Sequence, residues 1–172
     1  MPQSQPIRIT EATEADLRPV AELAGVVWRA HYPGIISRAQ IDYMLARGYS
    51  HEALLRFVTE PGARLLLASV DERLIGFAAY YRVEDATELK LDKLYVHQDF
   101  HGEGVGSRLI ERVEEDARAQ HRSTLILNVN KNNTRAIRTY ERNGFVIRDS
   151  VVVDIGGGYV MDDFIMAKRL SA

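Results

Sequence analysis

Apolar positions recur at helical spacing early in the chain. Leu17, Val20, Ala21, Leu23, Ala24, Val27 and Trp28 share one face of a long amphipathic helix. Thr13 stands where an N-cap belongs, and Tyr32-Pro33-Gly34 predicts the stop. Ser37 with Gln40 has the spacing of a capping box and opens a second helix through Ile41, Met44 and Leu45. Ser50 caps a third, short helix that ends near Pro61-Gly62. The rhythm then changes. Arg64 to Val70 and Leu74 to Val83 read as strands around the turn at Asp71-Glu72-Arg73, and Leu89 to Val96 as another. Val105, Leu109, Val113 and Ala117, at four-residue intervals, give a strong helix. Thr124 to Val129 is a strand and Thr134 to Asn143 a helix. Phe145 to Ile155 and Tyr159 to Leu170 read as strands joined across Gly156-Gly157-Gly158. With Ile7 to Thr10 as a first strand, the order is β-α-α-α-β-β-β-α-β-α-β-β. That order predicts an α/β fold, a mixed sheet with helices packed on its faces.

Composition narrows the possibilities. At 172 residues, 46% hydrophobic and 27% charged, without repeat or linker, the chain reads as one domain over 1–172. A formal charge of −2 gives no general pull toward nucleic acid or an anionic membrane. The absence of cysteine removes disulfides, thiolate nucleophiles and Cys-type zinc sites. His97 and His101 lack a helix or third ligand that would suggest zinc, so no metal is expected. No apolar run approaches the roughly 20 residues of a membrane span. Met1 to Pro6 lacks the basic-then-apolar layout of a signal peptide, so the expected location is the cytoplasm.

The most informative segment runs from Leu94 to Leu109, where Gly102, Gly104 and Gly106 follow a strand and open a helix. Glycine lets backbone approach a ligand closely, and the first N–H groups of a helix have no intrahelical partner. The positive helix end completes an anion site suited to pyrophosphate. Such a pattern also serves as a plain glycine-rich turn. A Walker loop fails because no Gly-Lys-Ser/Thr follows, and the Gly-x-Gly-x-Gly spacing fits a Rossmann fingerprint poorly. A further reading, beside the plain turn, is the pyrophosphate loop of coenzyme A, and it rests on a family resemblance.

The segment resembles motif A of the GNAT acetyltransferases, Gln/Arg-x-x-Gly-x-Gly/Ala. Gly104 and Gly106 match it, Gly102 matches an extra glycine common in the family, and His101 departs from the usual Gln or Arg. Asn133 to Phe145 is similar to the family's Asn-x-x-Ala-x-x-x-Tyr-x-x-x-Gly-Phe pattern through Asn133, Ala136, Tyr140, Gly144 and Phe145. Two motifs in the right order are far more specific than either alone. The chain's end from Asp154, and the stretches around Trp28 and Gln40, are similar to bacterial polyamine-type and related uncharacterised members. The resemblance implies the GNAT acyl-CoA N-acyltransferase fold, a mixed and mostly antiparallel sheet with helices on both faces.

It also implies acetyl-coenzyme A as cosubstrate and direct acetyl transfer to a primary amine. The implied coenzyme contacts are Leu94, Tyr95 and Val96 on the strand, then His101, Gly102, Glu103, Gly104, Val105, Gly106 and Ser107 in the loop. Asn133, Ala136 and Tyr140 complete them. A strand N–H near Val96 would polarise the thioester carbonyl, Asn133 would bond the pantetheine amides, and Tyr140 would serve as acid to the leaving sulfur. Read without the motifs, Tyr140 is a core aromatic sharing a helical face with Ala136 and Ile137. For the base, many relatives carry a glutamate where this chain has Lys90. Glu88 and Asp92 lie on one nominal strand face unless a bulge intervenes, and a water relay is an equal alternative. Trp28, His31, Tyr32, Tyr43 and Met161 are candidates for the acceptor wall. Asp162 and Asp163 could attract a cation, although neighbours on a strand face opposite ways. The acceptor expected is a small amine such as a polyamine. A protein lysine or N-terminus, or coenzyme binding without catalysis, stay open, as do monomer and homodimer.

Overall fold

The computed structural model describes residues 5–171; Met1 to Ser4 of the polar opening lie outside them. Every predicted element is present, with boundaries moved by a residue or two, except that the first helix starts at Leu17 and not directly after Thr13. Strands β1 (Ile7–Glu11), β2 (Arg64–Val70), β3 (Arg73–Arg82), β4 (Glu88–Val96), β5 (Thr124–Asn130), β6 (Val146–Gly156) and β7 (Tyr159–Arg169) form one sheet in the order β1-β2-β3-β4-β5-β7-β6. All pairings are antiparallel except β4 with β5. Helices α1 (Leu17–His31), α2 (Arg38–Gly48) and α3 (His51–Thr59) precede β2, while α4 (Val105–Ala119) and α5 (Thr134–Arg142) flank β5 in sequence.

The caps explain the helix starts. Ser37 and Ser50 each accept a backbone N–H three residues on, from Gln40 and Ala53, both at 3.1 Å. Thr13 caps a short 3-10 turn, its N–H donating to the Asp16 carboxylate at 2.8 Å, so α1 itself begins at Leu17. The capping box at Ser37 is only half formed. The Gln40 amide turns inward and donates to the Val160 carbonyl at 3.0 Å, tying α2 to β7.

The sheet is covered on both faces, as expected. On one, Leu17, Val20, Trp28, Ile41, Leu54 and Phe57 of the first three helices pack on Leu65, Leu67 and Phe77. On the other, Leu109, Ile110 and Val113 of α4 and Tyr140 of α5 pack on Leu66, Tyr80, Leu89 and Leu127.

Two irregularities position the site. In β4, Leu91 pairs with Tyr80 and Lys93 with Ala79, so Asp92 is the extra residue of a bulge. The alternation therefore slips: Leu89 and Leu91 before the bulge, and Leu94 and Val96 after it, all face α4. Beyond it, β4 and β5 part company. Their parallel ladder covers only Glu88 to Lys90 against Thr124 to Ile126, and past that point the strands splay into a gap through the sheet.

The β6–β7 hairpin closes one side of that gap. Its reversal lies in Gly157 and Gly158, with φ of +62° and +81°, the double positive φ that a tight hairpin turn needs. Its register pairs Val151 with Asp163 and Val153 with Met161. Those residues face the gap, while Val152 and Asp162 face outward.

Candidate active site

The gap is the mouth of a cleft of about 780 Å³ that reaches both faces of the sheet. On the α4 face lies the glycine loop. Gly102 and Gly104 have φ of +81° and +79°, and Gly104 is the residue from which α4 starts. A Cβ at either would meet nothing within 4 Å, and one at Gly106 would meet only Val96 Cγ2 at 4.0 Å. Internal packing thus does not require these glycines; their bare backbone faces open cleft. Val105 between them is buried and fixes the loop to the core. Ser107 lines the cleft beside Gly106, whereas Glu103 is exposed and does not line it.

Strand β4 supplies backbone groups. His97 donates its N–H to the Ile75 carbonyl of β3 at 2.7 Å. By antiparallel alternation, the N–H and C=O groups of Leu94 and Val96 therefore point the other way, into the splay. His101 answers one of them, its Nε2–H donating to the Val96 carbonyl at 2.9 Å. Burial holds the imidazole below the usual histidine range, which keeps it neutral in that contact. The departure from Gln or Arg thus leaves a side chain that braces the strand end.

Helix α5 brings in Asn133, Ala136 and Tyr140, all of which line the cleft. Asn133 is buried, and its Oδ1 accepts from the Ala136 N–H at 3.3 Å, capping α5, and from His31 Nε2–H at 2.8 Å. Its carbonyl is thus committed within the protein, and its NH₂, which acts on the Tyr32 hydroxyl, is the group left to meet a ligand. The His31 contact, 102 residues away in sequence, was not legible beforehand. Tyr140 is 9% exposed and packs edge-to-face on Phe145 at 5.7 Å. Burial, and then repulsion with Tyr32, push its phenol well above the ordinary tyrosine value, so it stays protonated at neutral pH.

Through the sheet, the cleft widens into an aromatic chamber. Trp28 stacks obliquely on Tyr32 at 4.3 Å and donates to the Tyr49 hydroxyl at 3.3 Å, and the Tyr32 and Tyr95 hydroxyls lie 3.1 Å apart. Met161 and His31 complete the wall. Tyr43, expected there, points elsewhere: its hydroxyl donates to the Ile155 carbonyl at 2.8 Å beside a smaller hollow near the hairpin turn.

The acids separate by environment. Glu88 sits at the far end of β4 in an ion pair with Arg148, away from the cleft. Asp92, on the bulge, lines the cleft and pairs with Lys93 at 3.1 Å; Lys93 in turn lies over the Tyr49 ring at 4.6 Å. Asp162 faces out and pairs with Lys131 at 2.8 Å. Asp163 faces in, 6% exposed. Arg135 and Arg142 at the cleft's edge were also missed, because an exposed arginine on a helix carries no signal of its own.

Comparison with known proteins agrees with this geometry. The pattern of the acetyltransferase (GNAT) family matches residues 22–145. The chain is 29% identical over 161 residues to an uncharacterised N-acetyltransferase of Mycobacterium bovis, covering 92% of this chain and 99% of that one. It is 28% identical over 167 residues to the spermidine N(1)-acetyltransferase of Thermoplasma acidophilum, covering 95% and 97%. A crystal structure of a PaiA N-acetyltransferase from the same organism, in complex with coenzyme A, superimposes with a TM-score of 0.83 at 27% identity over 96% of this chain and 99% of that one. The chain belongs to the GNAT family and is an N-acetyltransferase.

Proposed function

We propose that the enzyme transfers the acetyl group of acetyl-coenzyme A to a primary amine of a small molecule, with polyamines the favoured class. One observation carries the reading: the cleft passes through the sheet, a glycine-lined anion site on one side and a buried aromatic chamber on the other. In this reading the pyrophosphate lies on the N–H groups opening α4, and the pantetheine arm runs beside Leu94 and Val96. Main-chain groups there and the Asn133 amide bond it, and Ala136 packs against it. The Val96 N–H polarises the thioester carbonyl, and the neutral Tyr140 phenol donates to the departing sulfur. Helices α1 and α2 and the β6–β7 hairpin wall in the chamber, which suits a slender amine better than a loop of a folded protein. Aromatic faces attract ammonium groups by roughly 0.5–2 kcal/mol each. The 28% identical spermidine acetyltransferase supports the same class.

The test is a thioester-consumption screen with spermidine, spermine, amino acids, aminoglycosides and peptides. Turnover with polyamines at the lowest KM is expected; consumption only with peptides would overturn the acceptor class. A second measurement isolates the coenzyme half. A Cβ at Gly106 strains nothing, and alanine suits a helix better than glycine by about 0.5–1 kcal/mol. Gly106→Ala should therefore keep or raise Tm while weakening coenzyme A binding by calorimetry. Equal affinity in the variant would remove Gly106 from the site.

A further inference from the structure

We propose that Asp163 is the general base that takes the proton from the acceptor's ammonium group. The inference rests on the reading above, that an amine enters the aromatic chamber.

Three carboxylates are buried among the described residues: Glu114, Asp116 and Asp163. Two have cations, Glu114 from Lys168 and Asp116 from Arg64 and Arg112, and the Tyr80 hydroxyl also donates to Asp116 at 2.7 Å. Among the described residues Asp163 has no ion pair, and its Oδ1 has no hydrogen-bond partner. A buried charge left in this state costs stability and calls for an explanation.

Its surroundings point to one. Across the ladders Asp163 stands opposite Val151 on β6 and Asn130 on β5, and Met161 precedes it by two on the same face. This inner face lines the chamber, so the Asp163 carboxylate stands in its wall, with Oδ1 itself buried. Other groups that act on it are the Asn128 amide, the cations Lys90 and Lys131, and the Asp162 carboxylate; across the chamber, its charge is felt at the Tyr32 phenol. Burial dominates and raises its pKa above the ordinary aspartate value. A carboxylate so raised is a stronger proton acceptor.

The proton count closes. An ammonium R–NH₃⁺ gives one proton to Asp163, which passes it to solvent. The neutral amine's lone pair forms the C–N bond, and the thioester carbonyl becomes an oxyanion. As that collapses, the C–S bond breaks and the thiolate takes a proton from Tyr140. The second proton lost from nitrogen restores the phenol.

The experiment compares Asp163→Asn with wild type, using spermidine and acetyl-coenzyme A, as kcat and KM across pH. Asparagine has the same shape and no charge, so the variant should fold with coenzyme A affinity unchanged by calorimetry. The expected result is a fall in kcat of about a hundredfold or more, with loss of the wild-type limb that rises from acid toward neutral pH. The outer-face variant Asp162→Asn should match wild type. If Asp163→Asn raises KM alone and keeps kcat and the limb, Asp163 only holds the cation and the base assignment falls. If wild type turns over spermidine and Asp163→Asn equals it, this inference alone fails. If wild type acetylates no amine at all, the proposed function falls and takes this one with it.

Discussion

Tyr140→Phe should lower kcat by about 10²–10⁴-fold, the usual contribution of an acid–base group, with coenzyme A affinity and Tm nearly unchanged. The reason is that the ring and the hydroxyl have separate roles. The ring packs on Phe145 and sits with Val129 and Leu127 in the core on the α4 face, and phenylalanine keeps all of that. Among the described residues no side-chain hydrogen bond holds the hydroxyl, so removing it strands no partner inside the protein. Its raised pKa makes it a poor acid in the resting enzyme and a good donor once negative charge grows on a sulfur beside it. The pair of measurements matters: a variant with full kcat returns Tyr140 to a packing role, and one with low Tm means that packing was disturbed.

Asp163→Asn separates function from stability in the opposite sense. An aspartate whose pKa is raised by folding binds its proton more tightly in the native state than in the unfolded one. Its unfavourable contribution is therefore absent at low pH and grows as pH rises through the folded value. Asp163→Asn should raise Tm at neutral pH, and the gap to wild type should close on acidification. A catalytic group kept at a cost to stability behaves this way.

Much of this architecture was legible because local signals and tertiary packing agree. Ser37 and Ser50 cap the helices they were expected to cap, and Gly157-Gly158 turn the hairpin as their freedom of φ suggested. The glycine loop and Tyr140 line one cleft, which the family resemblance of the two motifs implied; spacing alone made Tyr140 a core aromatic. What escaped depends on contacts distant in sequence or on slips in register. The bulge at Asp92 leaves no mark in composition, yet it decides which of Glu88 and Asp92 reaches the cleft. Asp162 and Asp163 had to face opposite ways, but which one faced inward depended on β7 pairing Asp163 with Asn130. Tyr43 and Tyr32 are equivalent as letters on helical faces. Only the docking of α2 against the hairpin, through Gln40 to Val160, turns Tyr43 away from the chamber.

Gly104→Val is the substitution with the largest expected effect on coenzyme binding, because it acts in two ways that can be told apart. Gly104 holds φ at +79°, a region that costs an L-residue roughly 1–2 kcal/mol and a β-branched one more. The strain falls where α4 begins, so Tm should drop by an amount that denaturant unfolding reads directly. Space is the second effect. Nothing among the described residues lies within 4 Å of the added Cβ, so the valine methyls have open cleft to enter, above the N–H groups that would hold the phosphates. Coenzyme A affinity should fall more than tenfold, which is about 1.4 kcal/mol or more. Gly106→Ala adds bulk without a positive φ and should lose affinity with no loss of Tm. Gly104→Ala shares the strain with less bulk and should fall between. A folded Gly104→Val variant that binds coenzyme A as wild type does would mean that the pyrophosphate lies elsewhere, and the glycines would then be there for the turn alone.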